Sequence, residues 1–315
     1  MGRAALLGTL ASAFLAGCLG PATLPEVRVR ATVSPLAAEA LAILAVNRRV
    51  ARIAYVADAG SADLAWFGDP TEALEAGPVL VPGSAPPQPD VEERFRDPAG
   101  RFFPLCARAR VLIVNPRAGL RIAPGHLREI ADPRLAGMLA LVPFGRGQGP
   151  LTAAALSLLS GEEATLELLA AVARGRPRLA RSEVEVQAAV ASGIAALGLV
   201  GSEEAAAGAA SAAALEPIYP DQDGRGTLVF PTAVALLRGG ASSPGARRLA
   251  EWLASRDAEE LIAARAPGYL PVRRGVPLPP GARSAAEIRS PRLDWERLAE
   301  EKRLLSPRLA GWPHP

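Results

Sequence analysis

The chain has 315 residues, half of them hydrophobic and 21% charged, the composition of an ordinary globular protein and the length of two domains or one large one. Its 35 basic and 32 acidic residues leave a formal charge of +3, and the two signs are interleaved, so no long basic stripe for a nucleic-acid partner exists. With two cysteines, one of them in a leader, a disulfide framework within one mature chain is excluded.

In chain order, a leader comes first. Arg3 supplies a positive start, Ala4 to Ala16 is a short apolar run, and Leu15-Ala16-Gly17-Cys18 has the small-residue pattern of a lipoprotein cleavage site. Residues 1–18 are thus expected to be a lipoprotein signal peptide, with Cys18 as the lipidated residue; an ordinary signal peptide with an incidental cysteine is the alternative. Either way the mature chain is expected in the periplasm or at the cell surface.

Residues 27–33 alternate as a strand, and Ser34-Pro35 opens a helix to about Val46. Two further strand candidates, 50–56 and 63–66, follow, the second running into Phe67-Gly68-Asp69-Pro70. Residues 82–100 are rich in Pro, Gly, Asp and Ser and predict a surface loop. Residues 108–115 are a buried-type strand in which Cys106, just upstream, reads as inert packing. A strand at 139–143 leads through Gly145, Arg146, Gly147, Gln148 and Gly149 into a helix. Helices at 161–172 and 183–192, a strand at 195–200 and an alanine-rich helix after Gly201 come next. This alternation predicts an α/β fold with a largely parallel sheet. The turn Tyr219 to Gly226 leads into an apolar run of strand character, 227–237, with Pro231 as a bend or a strand edge. Helices capped by Ser243 and Ser255 follow, and an amphipathic helix lies around 293–305.

Glycines at 145–149 let backbone N–H groups approach a ligand at a helix start, and Arg146 adds a charged fork; the same loop is also an ordinary strand-to-helix turn. Ser182 and Ser202 stand where helix caps stand, and where cleft residues of α/β proteins gather. Trp66 is either a stacking platform or a core anchor. Asp69 is a ligand-facing acid or a turn residue, and Glu203 and Glu204 are a weak cation site or, more simply, a solvated helix start. There is no HExxH, CxxC or GxSxG, and neither histidine, His126 nor His314, has a nucleophile nearby, so no catalytic residue, cofactor or metal site is predicted.

The order of these pieces resembles the extracellular solute-binding proteins of bacterial ABC importers, in the iron(III)-type branch. The matching stretches are Ala62 to Trp66, Arg108 to Asn115, Leu127 to Gly137, Tyr219 to Gln222, Gly226 to Pro231, Ala246 to Leu249, Ser255 to Glu259 and Tyr269 to Arg273. The resemblance implies a two-lobed periplasmic-binding-protein-like (type II) fold with two hinge-crossing strands, near 110–115 and 226–231. Lobe 1 would comprise 24–112 plus 228–315, and lobe 2 would comprise 113–227. A small molecule or ion, an anion or a metal–anion complex, would sit in the cleft and be passed to a membrane ABC permease by a monomer. Its contacts would be Ser34, Trp66 and Asp69 from lobe 1, Arg146, Gly147, Gln148, Ser182 and Ser202 from lobe 2, and Tyr219 near the second crossing. Iron carriers of this branch present adjacent tyrosines after the strand that ends here at Val200; this chain has Gly201-Ser202-Glu203-Glu204, which predicts no tight ferric binding. A segment shorter than the family's between the first helix and the 63–66 strand leaves a second reading open, a lipoprotein that kept the scaffold as a sensor or interaction module.

Overall fold

The computed structural model describes residues 23–120, 124–211 and 214–313; the leader with Cys18, and His314, lie outside the described residues. The first sheet begins with β1 (Glu26–Ala31), where Val27 and Val29 face the core and Glu26 and Arg28 face out. Ser34 caps α1 (Pro35–Asn47), with Pro35 in the first turn where its missing N–H costs nothing. The chain then lays down β2 (Arg52–Tyr55) and β3 (Leu64–Phe67), both parallel to β1. Asp69 caps α2 (Pro70–Ala76).

The second sheet is built on β4 (Ala107–Val114), a run of β-branched and apolar residues that is buried along nearly its whole length. Beside it lie β5 (Leu139–Leu141), α3 (Gly149–Ser160), α4 (Glu162–Arg174), β6 (Arg178–Leu179), α5 (Glu183–Ala191), β7 (Leu197–Gly201), α6 (Ser202–Ala209) and β8 (Glu216–Ile218). The strand order is β6-β5-β7-β4-β8, with β5, β6 and β7 parallel and β4 antiparallel to its neighbours.

The two sheets are joined by a pair of antiparallel crossings. β9 (Val229–Pro231) pairs with the first three residues of β4, from Ala107↔Pro231 to Ala109↔Val229. One residue later the chain becomes β10 (Ala233–Leu236), which pairs with β3 and closes the first sheet in the order β10-β3-β1-β2. The expected bend at Pro231 is this change of sheet: proline offers no N–H, and Thr232 supplies the turn by donating its backbone N–H to Cys106 O at 2.8 Å. From Arg110 onward β4 pairs instead with β7, beginning at Arg110↔Gly201. Arg108 and Arg110 therefore stand at the place where β4 leaves one set of partners for another.

After α7 (Pro244–Leu253) and α8 (Arg256–Arg265), capped by Ser243 and Ser255, a buried ion pair locks the chain: Arg273 meets Glu259 at 2.7 Å. The last helix, α9 (Trp295–Leu309), lies against both halves. Lys302 donates to Thr71 and Glu75 of α2, while Glu301 accepts from Ser157 of α3 and Arg308 pairs with Glu162 of α4. Helix α9 thus touches α3 and α4, on the side of the second sheet, as well as α2, on the side of the first. One apolar cluster accordingly runs through both halves, from Phe67 and Phe230 to Phe144, Leu199 and Leu305. No helix among the described residues is long and apolar enough to cross a membrane.

Candidate functional site

Between the two sheets lies a narrow crevice lined by Gly68, Arg108, Ala109, Arg110, Gln148, Gly201 and Phe230. Its lining comes from five places: the end of β3, β4, the turn before α3, the end of β7, and β9. Its free volume is ≈ 10 Å³, room for about one water. The alternation of a strand puts residues i and i+2 on one face, which is why Arg108 and Arg110 both enter it.

Both arginines are held by carboxylates from helix starts. Arg108 pairs with Glu203 of α6, and Arg110 with Glu183 of α5 at 2.5 Å. Glu183 also accepts the Gly201 N–H at 2.6 Å, which ties the β7–α6 turn to α5. Burial alone would raise the Glu183 carboxyl, but the charge and hydrogen bond of Arg110 outweigh it, with help from Arg108, and hold it below the usual range. Burial, reinforced by Glu203 and Glu183, pushes Glu204 the other way, up to about 8. The group of two arginines and three glutamates is thus close to neutral at pH 7.

Polar satisfaction is incomplete here. Eight buried side-chain nitrogens and oxygens lack a partner among the described residues, and four of them are Arg108 Nε, Arg110 Nε, Glu203 Oε2 and Glu204 Oε2. Orphaned polar atoms are rare in folded interiors, and here two lie on the crevice arginines and two on the neighbouring glutamates of α6. Both donors and acceptors are left over.

The residues singled out from the sequence fall in several places. Gln148 lines the crevice, while Arg146 and Gly147 are exposed beside it. The glycine loop is shaped by packing: a Cβ on Gly145 would stand 2.1 Å from Leu309 O of α9. Ser34 caps α1 and donates its N–H to the Tyr269 hydroxyl at 2.9 Å. Trp66 is fully buried, tilted against Tyr269, and sits in the core of the first sheet, so it is an anchor and offers no stacking face. Asp69 is buried and occupied by Thr71 N, Thr71 Oγ1 and Glu72 N. Ser182 is an exposed cap of α5. Ser202 is not a cap; Gly201 holds that position, and the Ser202 hydroxyl accepts from Ala109 N and donates to Gly268 O at 2.6 Å, stitching α6 to β4 and to the loop after α8. Gly268 has to be glycine for this approach, since its φ is +88° and a Cβ would stand 2.4 Å from Glu203 Cα. The Tyr219 ring lies under the Arg283 guanidinium at 4.9 Å.

The crevice arginines and Glu183 were legible in the sequence only as strand and helix-start residues, and Glu203 as a solvated acid. Glu203 is instead buried and paired. The available signal was the Arg-x-Arg spacing itself, two charges on one face of a strand otherwise fit for burial. Among the described residues no three His, Cys, Asp or Glu side chains come together to hold a metal ion.

Comparison with known proteins agrees with this architecture. The chain belongs to the family of bacterial extracellular solute-binding proteins, whose family model matches residues 79–301. It is 29% identical over 221 residues to iron uptake protein A1 of Synechocystis sp. (strain ATCC 27184 / PCC 6803 / Kazusa), a match covering 66% of this chain and 60% of that protein. The fold is shared with the Trichodesmium IdiA (FutA) protein solved with iron and citrate, at a TM-score of 0.74 and 20% identity, over 91% of this chain and 99% of that one. It is shared equally with AfuA of Actinobacillus pleuropneumoniae, solved with fructose-6-phosphate, at a TM-score of 0.74 and 16% identity, over 90% and 97% of the two chains. The fold is thus the two-lobed, iron(III)-type periplasmic binding fold expected from the sequence.

Proposed function

We propose that this protein is a lipid-anchored extracytoplasmic carrier, a monomer and not an enzyme, that captures a small anion or an anion–metal complex between its lobes and delivers it to an ABC importer. The Leu15 to Cys18 pattern supports the anchor, and the family supports the carrier role. Lobe boundaries near residues 112 and 228 fit the two crossings. The observation that carries the ligand class is the pair of arginines, Arg108 and Arg110, entering one interlobe crevice from one crossing strand, each with a buried Nε left over. Two buried guanidinium groups at a hinge favour a ligand with negative oxygens, and only contacts to both lobes favour closure. Gln148 lines this crevice and can add a neutral donor.

The relatives named for iron make bare ferric ion the rival ligand. Against it stand the tyrosines: each is already engaged, Tyr269 by the Ser34 N–H, Tyr219 by the Arg283 guanidinium and Tyr55 by the Ala38 carbonyl, and no adjacent tyrosine pair follows Val200. The test is thermal unfolding with citrate, ferric citrate, sulfate, a sugar phosphate and a ferric salt without an organic anion. An anionic ligand at a hundred times its Kd should add about 2.7 kcal/mol of stability. Stabilisation by the ferric salt alone, or by none of them, would overturn this reading; the second result would favour a scaffold retained for sensing or interaction.

A further inference from the structure

The crevice is nearly full, and its Arg108 is already held by one of the chain's own carboxylates. Glu203 folds back over the β7–α6 turn, so that a Cβ on Gly201 would stand 2.6 Å from its Oε2, and its other oxygen meets Arg108. The opposite end of the Arg108 guanidinium reaches the edge of the first sheet, 3.2 Å from where a Cβ on Gly68 would stand. Arg108 therefore spans from one half to the other with Glu203 on it. The pair is incomplete, since Arg108 Nε and Glu203 Oε2 both remain without partners. A single-pronged pair of this kind is easier to exchange than a two-pronged one.

We infer that Glu203 is a built-in occupant of the anion site: it holds the guanidinium that a bound anion must take, and capture of the anion expels Glu203 and places a proton on it. This rests on the anionic-ligand reading above. The proton removes one negative charge from Glu203, which offsets all of the charge a monoanion brings to Arg108 and half of that of a dianion. The proton comes from solvent.

The neighbourhood dictates that proton. Around Glu203 are Arg108 from β4, Glu204 from its own helix α6, Tyr269 from the loop after α8, and Tyr219, with Arg283 on its ring, after β8; Arg110 from β4 and its partner Glu183 from α5 stand beside Arg108. Glu72 lies beyond Gly68, and Cys106 and Glu259 lie behind Arg108. Once Arg108 is taken by an anion, the remaining near cation, Arg110, is already held by Glu183. The expelled carboxylate is left among acids, in a place where burial already pushes Glu204 up to about 8 and raises Glu72. Burial pushes the tyrosine hydroxyls and the Cys106 thiol up as well, so none of these is an alternative proton acceptor near neutrality.

The experiment is calorimetric titration of the full mature chain with sulfate and with oxalate, which do not themselves titrate near neutrality. Wild type and Glu203→Gln are compared at about pH 6 and about pH 8, in two buffers of different ionisation heat. Wild type should take up about one proton per anion and bind roughly tenfold or more weakly at the higher pH. Glu203→Gln should take up none, bind about tenfold tighter than wild type at the higher pH, and lose the pH dependence. The wild-type proton count at about pH 6, where Glu204 is already protonated, decides the question even if the variant fails to fold. Binding by wild type without proton uptake, or a variant that binds no tighter, overturns the inference and leaves the anion reading standing. No binding of either probe by either protein removes both.

Discussion

Two buried arginine–glutamate centres in this molecule use the same chemistry to opposite ends. At Arg273 every prong is occupied: Nε meets Asp90 at 2.7 Å, one terminal nitrogen meets Glu259 at 2.7 Å, and the other donates to Ala254 O at 2.6 Å. Glu259 in turn accepts the N–H groups of Val272 and Arg273. At Arg108 and Arg110 the pairs are single-pronged, and four polar atoms have nothing to bond. The first centre is finished within the chain and acts as a rivet between α8 and the loop after it. The second is unfinished, and a molecule from outside is what would finish it.

The sharpest way to break this contrast is to truncate both arginines alike. Arg273→Met leaves Glu259, whose side chain is fully buried, without its cation, and should cost about 3–5 kcal/mol in urea unfolding. Arg108→Met should cost roughly 1–2 kcal/mol less, because its pair is incomplete, with a polar atom on each partner already unbonded. Equal losses would mean that Arg108 is as structural as Arg273, and the contrast would fail.

Much of this was legible beforehand. Caps at Ser34, Ser243 and Ser255, the bend at Pro231 and the β4 strand followed from residue type and spacing, because each is decided within a few residues of itself. Family order gave the two-lobed fold, whose crossings join residues more than a hundred positions apart. The crevice was the hard part. Whether Glu203 is solvated or buried depends on Gly268 closing over it from 65 residues away, and no local pattern carries that. Trp66 misleads for the same reason: its burial is set by β10 and Tyr269, which arrive late in the chain.

A subtler test of the unfinished centre is its pH dependence. Glu204 is held protonated in the fold, up to about 8, whereas in the unfolded chain it ionises as an ordinary carboxyl. A raised carboxyl reverses the usual acid case. Its contribution is complete below the unfolded value and is lost as pH rises toward 8, because the folded chain binds the extra proton across that window. Glu204→Gln should flatten this decline and exceed wild type by roughly 1 kcal/mol above the folded value. Burial raises Glu259 at the finished centre too, against the pull of Arg273, so the test is read from the variant against wild type: a Glu204→Gln chain that changes nothing between mildly acidic and alkaline pH would place Glu204 in solvent.

The smallest effect is expected at His126, far from either centre. Its Nδ1 lies 2.9 Å from Asp221, which also accepts the Leu127 N–H through its other oxygen and sits at a φ of +63° in the 219–226 turn. The hydrogen bond to Asp221 raises the imidazole above its ordinary value, with Asp223 and Glu129 adding to it. For a base raised on folding, the contribution is complete below the unfolded value and fades as pH rises through the folded one. Neutral imidazole can keep a proton on Nδ1 and go on donating to Asp221, so only the charged part of the bond is lost. His126→Gln should therefore lower the urea midpoint slightly in mild acid and leave it unchanged in mild alkali, with the imidazole resonances of wild type titrating above the usual histidine range. A midpoint loss that persists in alkali would mean that the ring acts through packing and not through its charge on Asp221.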